Sequence, residues 1–526
     1  MTLSLKLTPL SLALALVITS LPATLSPAQA QVRLPSLGES VSEDVGVGAE
    51  KKLGDEIMRQ VRRDADYIDD PLLLDYVQSI WSRLVAAARE RGDIGADTDG
   101  VFAWEAFLVR DRSFNAFALP GGYVGVHLGL IAAAGTRDEL ASVLGHELSH
   151  VTQRHIARSI SSSSRQSLVG MAAMILGVVA ASRANSGDGI NAAIIGSQAA
   201  MMQGQLNFSR DMEREADRIG FQVMTEAGYS PQGMAAMFEK LENASRLNDS
   251  GNYPYLRSHP LTTERIGEAR MRAQASAQAA PAVVTPEHLV MQARARVLGD
   301  TGVSALRRAQ SQAADSDRHP PAAERMAALY GSALASQQLR EPQRAQAALD
   351  AARALAGTDT AVQRAFTLLQ AQIWLDSGAA PRALAALQAI DDHSRPLMLM
   401  RAQAALDAAR AAGMARTDPL RQGTDALQTW VADHPQDATA WSLLAQANTQ
   451  QGLRLRAVRA EAEERAALGD LTGAIDRLRA GQRMARSGLQ GGNDFVDASV
   501  IDARLRQIDA LRRQLYADAN RQPPRD

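Results

Sequence analysis

The chain has 526 residues, 46% hydrophobic and 22% charged, a foldable composition too long for one ordinary core. Aromatic residues make up only 4%, so packing must come mainly from close contacts between Ala- and Leu-rich helices. A net charge of -2 gives no electrostatic case for nucleic acid, and a chain without cysteine has neither disulfides nor a thiol for lipid anchoring.

In chain order, Lys6, an apolar stretch from Leu10 to Leu21, and Ala28-Gln29-Ala30 form the pattern of a signal peptide. Residues 1–30 are expected to be removed, leaving a mature chain that starts at Gln31. From Gly46 to Arg91 the pattern is helical, with Asp70-Pro71 as a cap and first turn. Residues 103–110, 113–119 and 123–131 read as strands, with Pro120-Gly121-Gly122 as a turn between the last two. An edge strand beside a catalytic site lets a peptide add as a further strand, fixed by main-chain hydrogen bonds.

Thr136 and Glu139 form a capping box, and Leu140, Val143, Leu144 and Val151 repeat at helical spacing. The sequence His146-Glu147-Leu148-Ser149-His150 therefore falls in mid-helix. Positions i and i+4 lie one above the other, so two imidazoles can share a metal while Glu147 reaches the metal's water. Further on, residues 168–181 are apolar and small but too short to cross a bilayer. They read as a buried helix, with contact to a membrane surface as the alternative. A helix from near Arg210 ends at Gly228, and Ser230-Pro231 opens the next.

The Ala-rich stretch from Ala273 to Pro286 marks a boundary between a first domain, 31–280, and a second, 281–520, before a disordered tail at 521–526. The second domain is nearly all helical. Small residues recur beside glycine turns, at Ala345 with Leu349, Gly378 with Ala383 and Leu387, Gly452 with Ala457, and Gly469 with Ala474 and Leu478. Imperfect helix-turn-helix repeats of tetratricopeptide type account for that recurrence better than a plain Ala-rich bundle. The fold class expected is α+β, mostly α, with a small sheet in the first domain and a tetratricopeptide-like solenoid after it.

A catalytic zinc takes three protein ligands and leaves a place for water. The form H-E-x-x-H-x-x-G-x-x-H is excluded, because Gln153 and Ile156 stand where it needs Gly and His. His155 is one residue out of register, and reads as a packing or hydrogen-bonding histidine. The better third ligand is Glu213, with Asp217 on the same helix face to accept a hydrogen bond from a ligand imidazole, His146. Glu215 is about 160° from Asp217 around the helix and should face away. His259, before Pro260, is placed either to stabilise an oxyanion or to occupy the open metal position.

Asn115 to Val126, the H-E-L-S-H of His146 to His150, the E-x-x-A-D of Glu213 to Asp217 and Ser258-His259-Pro260 together resemble the Ste24/HtpX-type zinc metallopeptidases. The resemblance implies a gluzincin-type metallopeptidase domain holding one zinc ion (Zn2+) per chain. By it, His146, His150 and Glu213 are the ligands and Glu147 the catalytic base. Asn115, Ala116, Phe117, Ala118 and Leu119 are then the substrate-side edge strand, and His259 covers the zinc of a latent enzyme. With a signal peptide in front and repeats behind, it implies an endopeptidase of the periplasm, soluble or peripheral to the outer membrane. Its partners would be unfolded or misassembled outer-membrane proteins and the β-barrel assembly machinery. The alternative is a chaperone or scaffold for outer-membrane protein assembly whose protease is mostly latent.

Overall fold

The computed structural model describes residues 46–161, 209–247, 253–276, 282–312, 320–487 and 492–518. The expected signal peptide, the apolar run 168–181 and the tail 521–526 lie outside the described residues.

Helix α1 (Val47–Val61) is followed by a two-residue strand, β1 (Tyr67–Ile68), which the helical reading of 46–91 did not include, before α2 (Pro71–Arg91) starts at the expected cap. The polar stretch between the helices has no apolar face, and Asp64 Oδ1 accepts from the Asp66 N–H to turn the chain into β1. Asp70 does cap α2, accepting from the Leu73 N–H at 2.9 Å. A short helix, α3 (Ala96–Asp99), leads to β2 (Glu105–Val109), β3 (Ala116–Leu119) and β4 (Tyr123–His127).

The sheet order is β1-β2-β4-β3, with β2 and β4 parallel and the outer pairs antiparallel, so β3 is an edge. All three expected strands are shorter than the sequence indicated. The last ends at His127, and residues 128–131 belong to helix α4 (Leu128–Ala133) instead. Residues 123–131 are all buried, so an apolar run could not separate strand from helix. The switch is made at Gly129, where a Cβ would meet the Arg112 carbonyl oxygen at 2.2 Å.

Helices α5 (Arg137–Thr152), α6 (His155–Ser161), α7 (Arg210–Glu226), α8 (Gln232–Leu247), α9 (Tyr255–Ser258) and α10 (Thr263–Ala275) complete the first half. In the capping box of α5, Thr136 Oγ1 accepts from the Glu139 N–H, and Glu139 reaches back to the N–H of Gly135 rather than that of Thr136. Trp81, Tyr76, Leu84, Leu108, Leu144 and Met224 are all fully buried in the core between α2, the sheet, α5 and α7.

Helix α11 (Pro286–Gly299) follows the expected boundary yet packs into the same core. Buried His288 accepts from the Tyr76 hydroxyl at 2.7 Å and donates to the Ala134 carbonyl at 2.8 Å. After α12 (Val303–Gln312) come five helix hairpins. They are α13 (Ala322–Gln338) with α14 (Pro342–Leu355), α15 (Thr360–Asp376) with α16 (Ala380–Gln388), α17 (Arg395–Ala411) with α18 (Asp418–Asp433), α19 (Ala438–Gln450) with α20 (Arg454–Ala467), and α21 (Leu471–Ser487) with α22 (Gly492–Asp518). Ala345, Ala383, Ala457 and Ala474 are buried at the crossings, and Gly378, Gly413 and Gly452 turn three hairpins at positive φ.

The hairpins fold back against the first half. Successive acids at the start of α2 meet arginines from three different helices: Asp70 with Arg294, Asp75 with Arg364, and Asp69 with Arg395. No described helix is long and apolar enough to cross a membrane.

Candidate metal centre

The site forms where α5 crosses α7. Gly145 and Gly220 stand at the crossing, so the two backbones come together and the side chains on either side of it meet. His146 and His150 point the same way from α5, with their Nε2 atoms 3.0 Å apart. Ser209 caps α7, and Glu213 in the first turn carries its carboxylate to 3.5 Å from both Nε2 atoms.

His259, at the end of α9, closes the group from the other side. Its Nδ1 lies 2.9 Å from Glu213 Oε1 and 3.3 Å from His146 Nε2. One donor atom from each of these four buried residues falls within 4.8 Å of the others. Three imidazole nitrogens and a carboxylate oxygen facing one point form a donor set that fits a borderline divalent metal ion.

Charge follows the same design. Burial, with His146 and His259 nearby, keeps the His150 pKa well below the ordinary range, so its ring is neutral and can offer a lone pair. Burial acts against ionisation of Glu213, but His259 and then His146 and Arg265 outweigh it and hold the carboxylate below its usual range.

Glu147 is fully buried between the donor set and the sheet edge. Its Oε2 accepts from the Ala118 N–H at 3.0 Å, and Oε1 has no hydrogen-bond partner and lies 3.6 Å from His259 Nε2. Burial pushes its pKa up to about 8 against the pull of His146; Glu213 adds to the rise, and the Ala118 N–H opposes it. A carboxyl whose pKa lies close to the working pH is suited to exchanging a proton in both directions.

The edge strand has a defined polarity. The His127 N–H donates to the Asn115 carbonyl, and the register pairs Phe117 with Gly125 and Leu119 with Tyr123. Ala116 and Ala118 alternate with those bonded pairs, so their main-chain groups face outward, toward Glu147. Asn115, Ala116, Phe117, Ala118 and Leu119 thus lie alongside the cluster, with the Asn115 side-chain oxygen buried and unpaired.

Asp217 sits one turn beyond Glu213 and accepts from His146 Nδ1–H at 2.9 Å. Two further residues complete this shell, and sequence reasoning gave neither a role. Arg265 donates to both Asp217 oxygens, at 2.6 and 2.8 Å, and its Nη1 lies 2.9 Å from Glu213 Oε2 and 2.7 Å from the Pro260 carbonyl. Burial opposes the Asp217 charge, but Arg265 and then His146 hold its carboxyl far below the usual range. Tyr255 is buried against the His259 ring, with centroids 4.6 Å apart. Burial, then the charge of Glu147, keeps its hydroxyl protonated. Arg265 follows the S-H-P stretch by only five positions, the one signal that was available; Tyr255 offered none.

The six residues singled out by sequence, His146, Glu147, His150, Glu213, Asp217 and His259, all converge here. Such a cluster beside an open sheet edge has the form of a metallopeptidase site. Residues 74–273 match the model of Peptidase family M48. The chain is 32% identical over 491 residues to the beta-barrel assembly-enhancing protease of Yersinia pestis, covering 92% of this chain and 93% of that protein. It is 31% identical over 485 residues to the beta-barrel assembly-enhancing protease of Escherichia coli, 91% of each chain. Likeness to the mitochondrial metalloendopeptidase OMA1 of Saccharomyces cerevisiae is 30% over 217 residues, 40% of this chain and 58% of that one. The chain belongs to Peptidase family M48 and is a metallopeptidase whose full-length similarity is to beta-barrel assembly-enhancing proteases.

Proposed function

We propose that this protein is a periplasmic zinc endopeptidase that cleaves misfolded or stalled outer-membrane β-barrel proteins. The observation that carries the catalytic part is the position of Glu147, fixed by the edge-strand N–H of Ala118 on one oxygen, with the other turned toward the cluster of buried candidate ligands. The names of the full-length relatives support the client class.

His146, His150 and Glu213 would hold zinc, with Asp217 fixing the His146 ring. When bound, zinc supplies Lewis acidity that polarises a carbonyl and acidifies water to a pKa near about 7. Glu147 Oε1 takes the proton from the attacking water and passes it to the leaving amine. The outward groups of Ala116 and the Ala118 carbonyl orient an extended substrate as an added strand. Changing Glu147 to Gln should leave fold and metal content intact and abolish cleavage of casein; proteolysis retained by Glu147→Gln would contradict the assignment.

His259 supplies a fourth donor, so the described site is closed rather than open, the arrangement of a latent enzyme. That observation also favours the second reading, a chaperone or scaffold for outer-membrane protein assembly with protease activity released on demand. The hairpins, read as tetratricopeptide-like repeats, provide the recruiting surface in either case. A groove of 490 Å³ runs along them, lined by Leu368, Gln372, Leu399, Gln403, Leu443 and Gln446. The chaperone reading requires Glu147→Gln to keep binding clients and promoting their assembly. Contact with a membrane through residues 168–181 belongs to the same proposal.

A further inference from the structure

The His146 ring is held by a carboxylate. His150 has a longer support, and it runs through residues to which no role has been given. His155 Nδ1 lies 2.9 Å from His150 Nδ1, and both rings are buried. On its far side, His155 Nε2 meets Glu215 Oε2 at 3.0 Å, and Arg158 Nη1 donates to the same oxygen at 2.9 Å.

Five residues separate the two histidines, which in an unbroken helix would place them about 140° apart. The chain avoids this by breaking between α5 and α6. Arg154 adopts φ +51°, a left-handed conformation costly for a residue with a Cβ, and its Nε donates to buried Glu50 at 2.9 Å. The turn brings His155 back onto His150.

The proton positions along this row then follow in order. Glu215 Oε2 takes the Arg158 N–H as well as facing His155 Nε2, the place of an ionised carboxylate, so it is an acceptor only. His155 must therefore donate through Nε2–H. With its proton on Nε2, the neutral His155 ring offers Nδ1 as an acceptor. His150 must then donate through Nδ1–H, which leaves the lone pair on Nε2, the atom that faces Glu213.

We propose that His155 is a positioning residue for the metal centre, fixing His150 in the tautomer and orientation that present Nε2 to zinc, with Glu215 and Arg158 fixing His155 in turn. The two candidate imidazole ligands then share one logic: His146 ends on Asp217 and Arg265, and His150 on Glu215 and Arg158 through an interposed imidazole. This inference rests on the reading of His150 as a metal ligand.

The test is competition for zinc between a chromophoric chelator and the full-length protein, with folding checked by circular dichroism. His155→Phe keeps a ring but removes the acceptor, and should weaken zinc binding 10- to 100-fold, the range found for outer-shell partners. His155→Gln offers an amide oxygen to His150 and an amide N–H to Glu215, and should recover most of the loss, as a mere volume effect would not. Glu215→Ala, at a partly exposed side chain, should weaken binding in the same direction and guards against misfolding of His155→Phe. Zinc held as tightly by folded His155→Phe as by wild type, or wild-type affinity in Glu215→Ala where His155→Phe does not fold, would overturn the role of His155. A folded wild type that binds no zinc would instead overturn the metal reading itself, and this inference with it.

Discussion

A Cβ on Gly220 would stand 2.9 Å from the carbonyl carbon and oxygen of Gly145, so these two glycines put the α5 and α7 backbones in direct contact. The contact lies one residue from His146 and less than one turn beyond Asp217, which makes it the distance gauge of the metal centre.

Replacing Gly220 with Ala should therefore do more than destabilise. The methyl meets backbone rather than the tip of a side chain, so α7 must move. An overpacking cost of about 1–3 kcal/mol is expected. The same shift draws Glu213 and Asp217 away from the histidines, and zinc content should fall with the melting temperature. Unchanged metal content in a destabilised Gly220→Ala would show that the crossing does not set the site.

Arg265 neutralises two buried carboxylates at once, and its own side chain is 4% exposed. Arg265→Met leaves Asp217 and Glu213 buried without their cation and also takes the guanidinium from over the Phe238 ring. Breaking such a pair costs roughly 3–5 kcal/mol. A large fall in the thermal midpoint is expected, together with weakened zinc retention; a stable, zinc-loaded variant would contradict the structural role given to Arg265.

The His259 N–H closes α9 on the Tyr255 carbonyl, a bond that alanine keeps, and its ring supplies the fourth donor. His259→Ala should raise basal cleavage of casein several-fold at unchanged zinc content. A fall in turnover instead would assign His259 to stabilisation of the oxyanion rather than to latency.

The metal centre was unusually legible in the sequence because its parts are local patterns. Two histidines four apart, and Glu213 with Asp217 four apart, each declare a helix face before the two faces are known to meet. The groups missed by sequence are those whose role exists only across the fold. Arg265 is defined by two carboxylates some fifty residues upstream, and Tyr255 by a ring it packs on. Glu215 was expected to face away, and it is not among the four clustered donors; only the left-handed turn at Arg154 brings His155 round to meet it. The sheet was overextended for a different reason: residues 123–131 are buried on every side, and burial without alternation carries no information on strand or helix. The boundary near residue 280 was drawn from composition, and just beyond it α11 packs beside Tyr76 and Ala134.

Between the two halves, Asp437 anchors Arg395, which also binds Asp69. Burial opposes ionisation of Asp437, but its hydrogen bonds with Arg395 and the charge of Arg395 outweigh it, and its pKa lies below the ordinary carboxylate value. Its contribution is therefore complete above the unfolded-state value of about 4 and is lost as pH falls through the lower folded value. Asp437→Asn should lower stability by roughly 1.5–3 kcal/mol at pH 7. The difference from wild type should stay flat above about pH 5 and narrow below about pH 4 in thermal scans. A gap that widened on acidification would reverse the sign and reject the clamp.

His146, His150 and Glu213 are proposed to hold a catalytic zinc. The most direct measurement is elemental analysis of purified wild type and Glu213→Gln, with casein cleavage assayed on the same samples. Near-stoichiometric zinc in wild type, lost together with cleavage in a folded Glu213→Gln, is the result expected. A folded wild type without zinc, or a Glu213→Gln variant that keeps both zinc and activity, would contradict it.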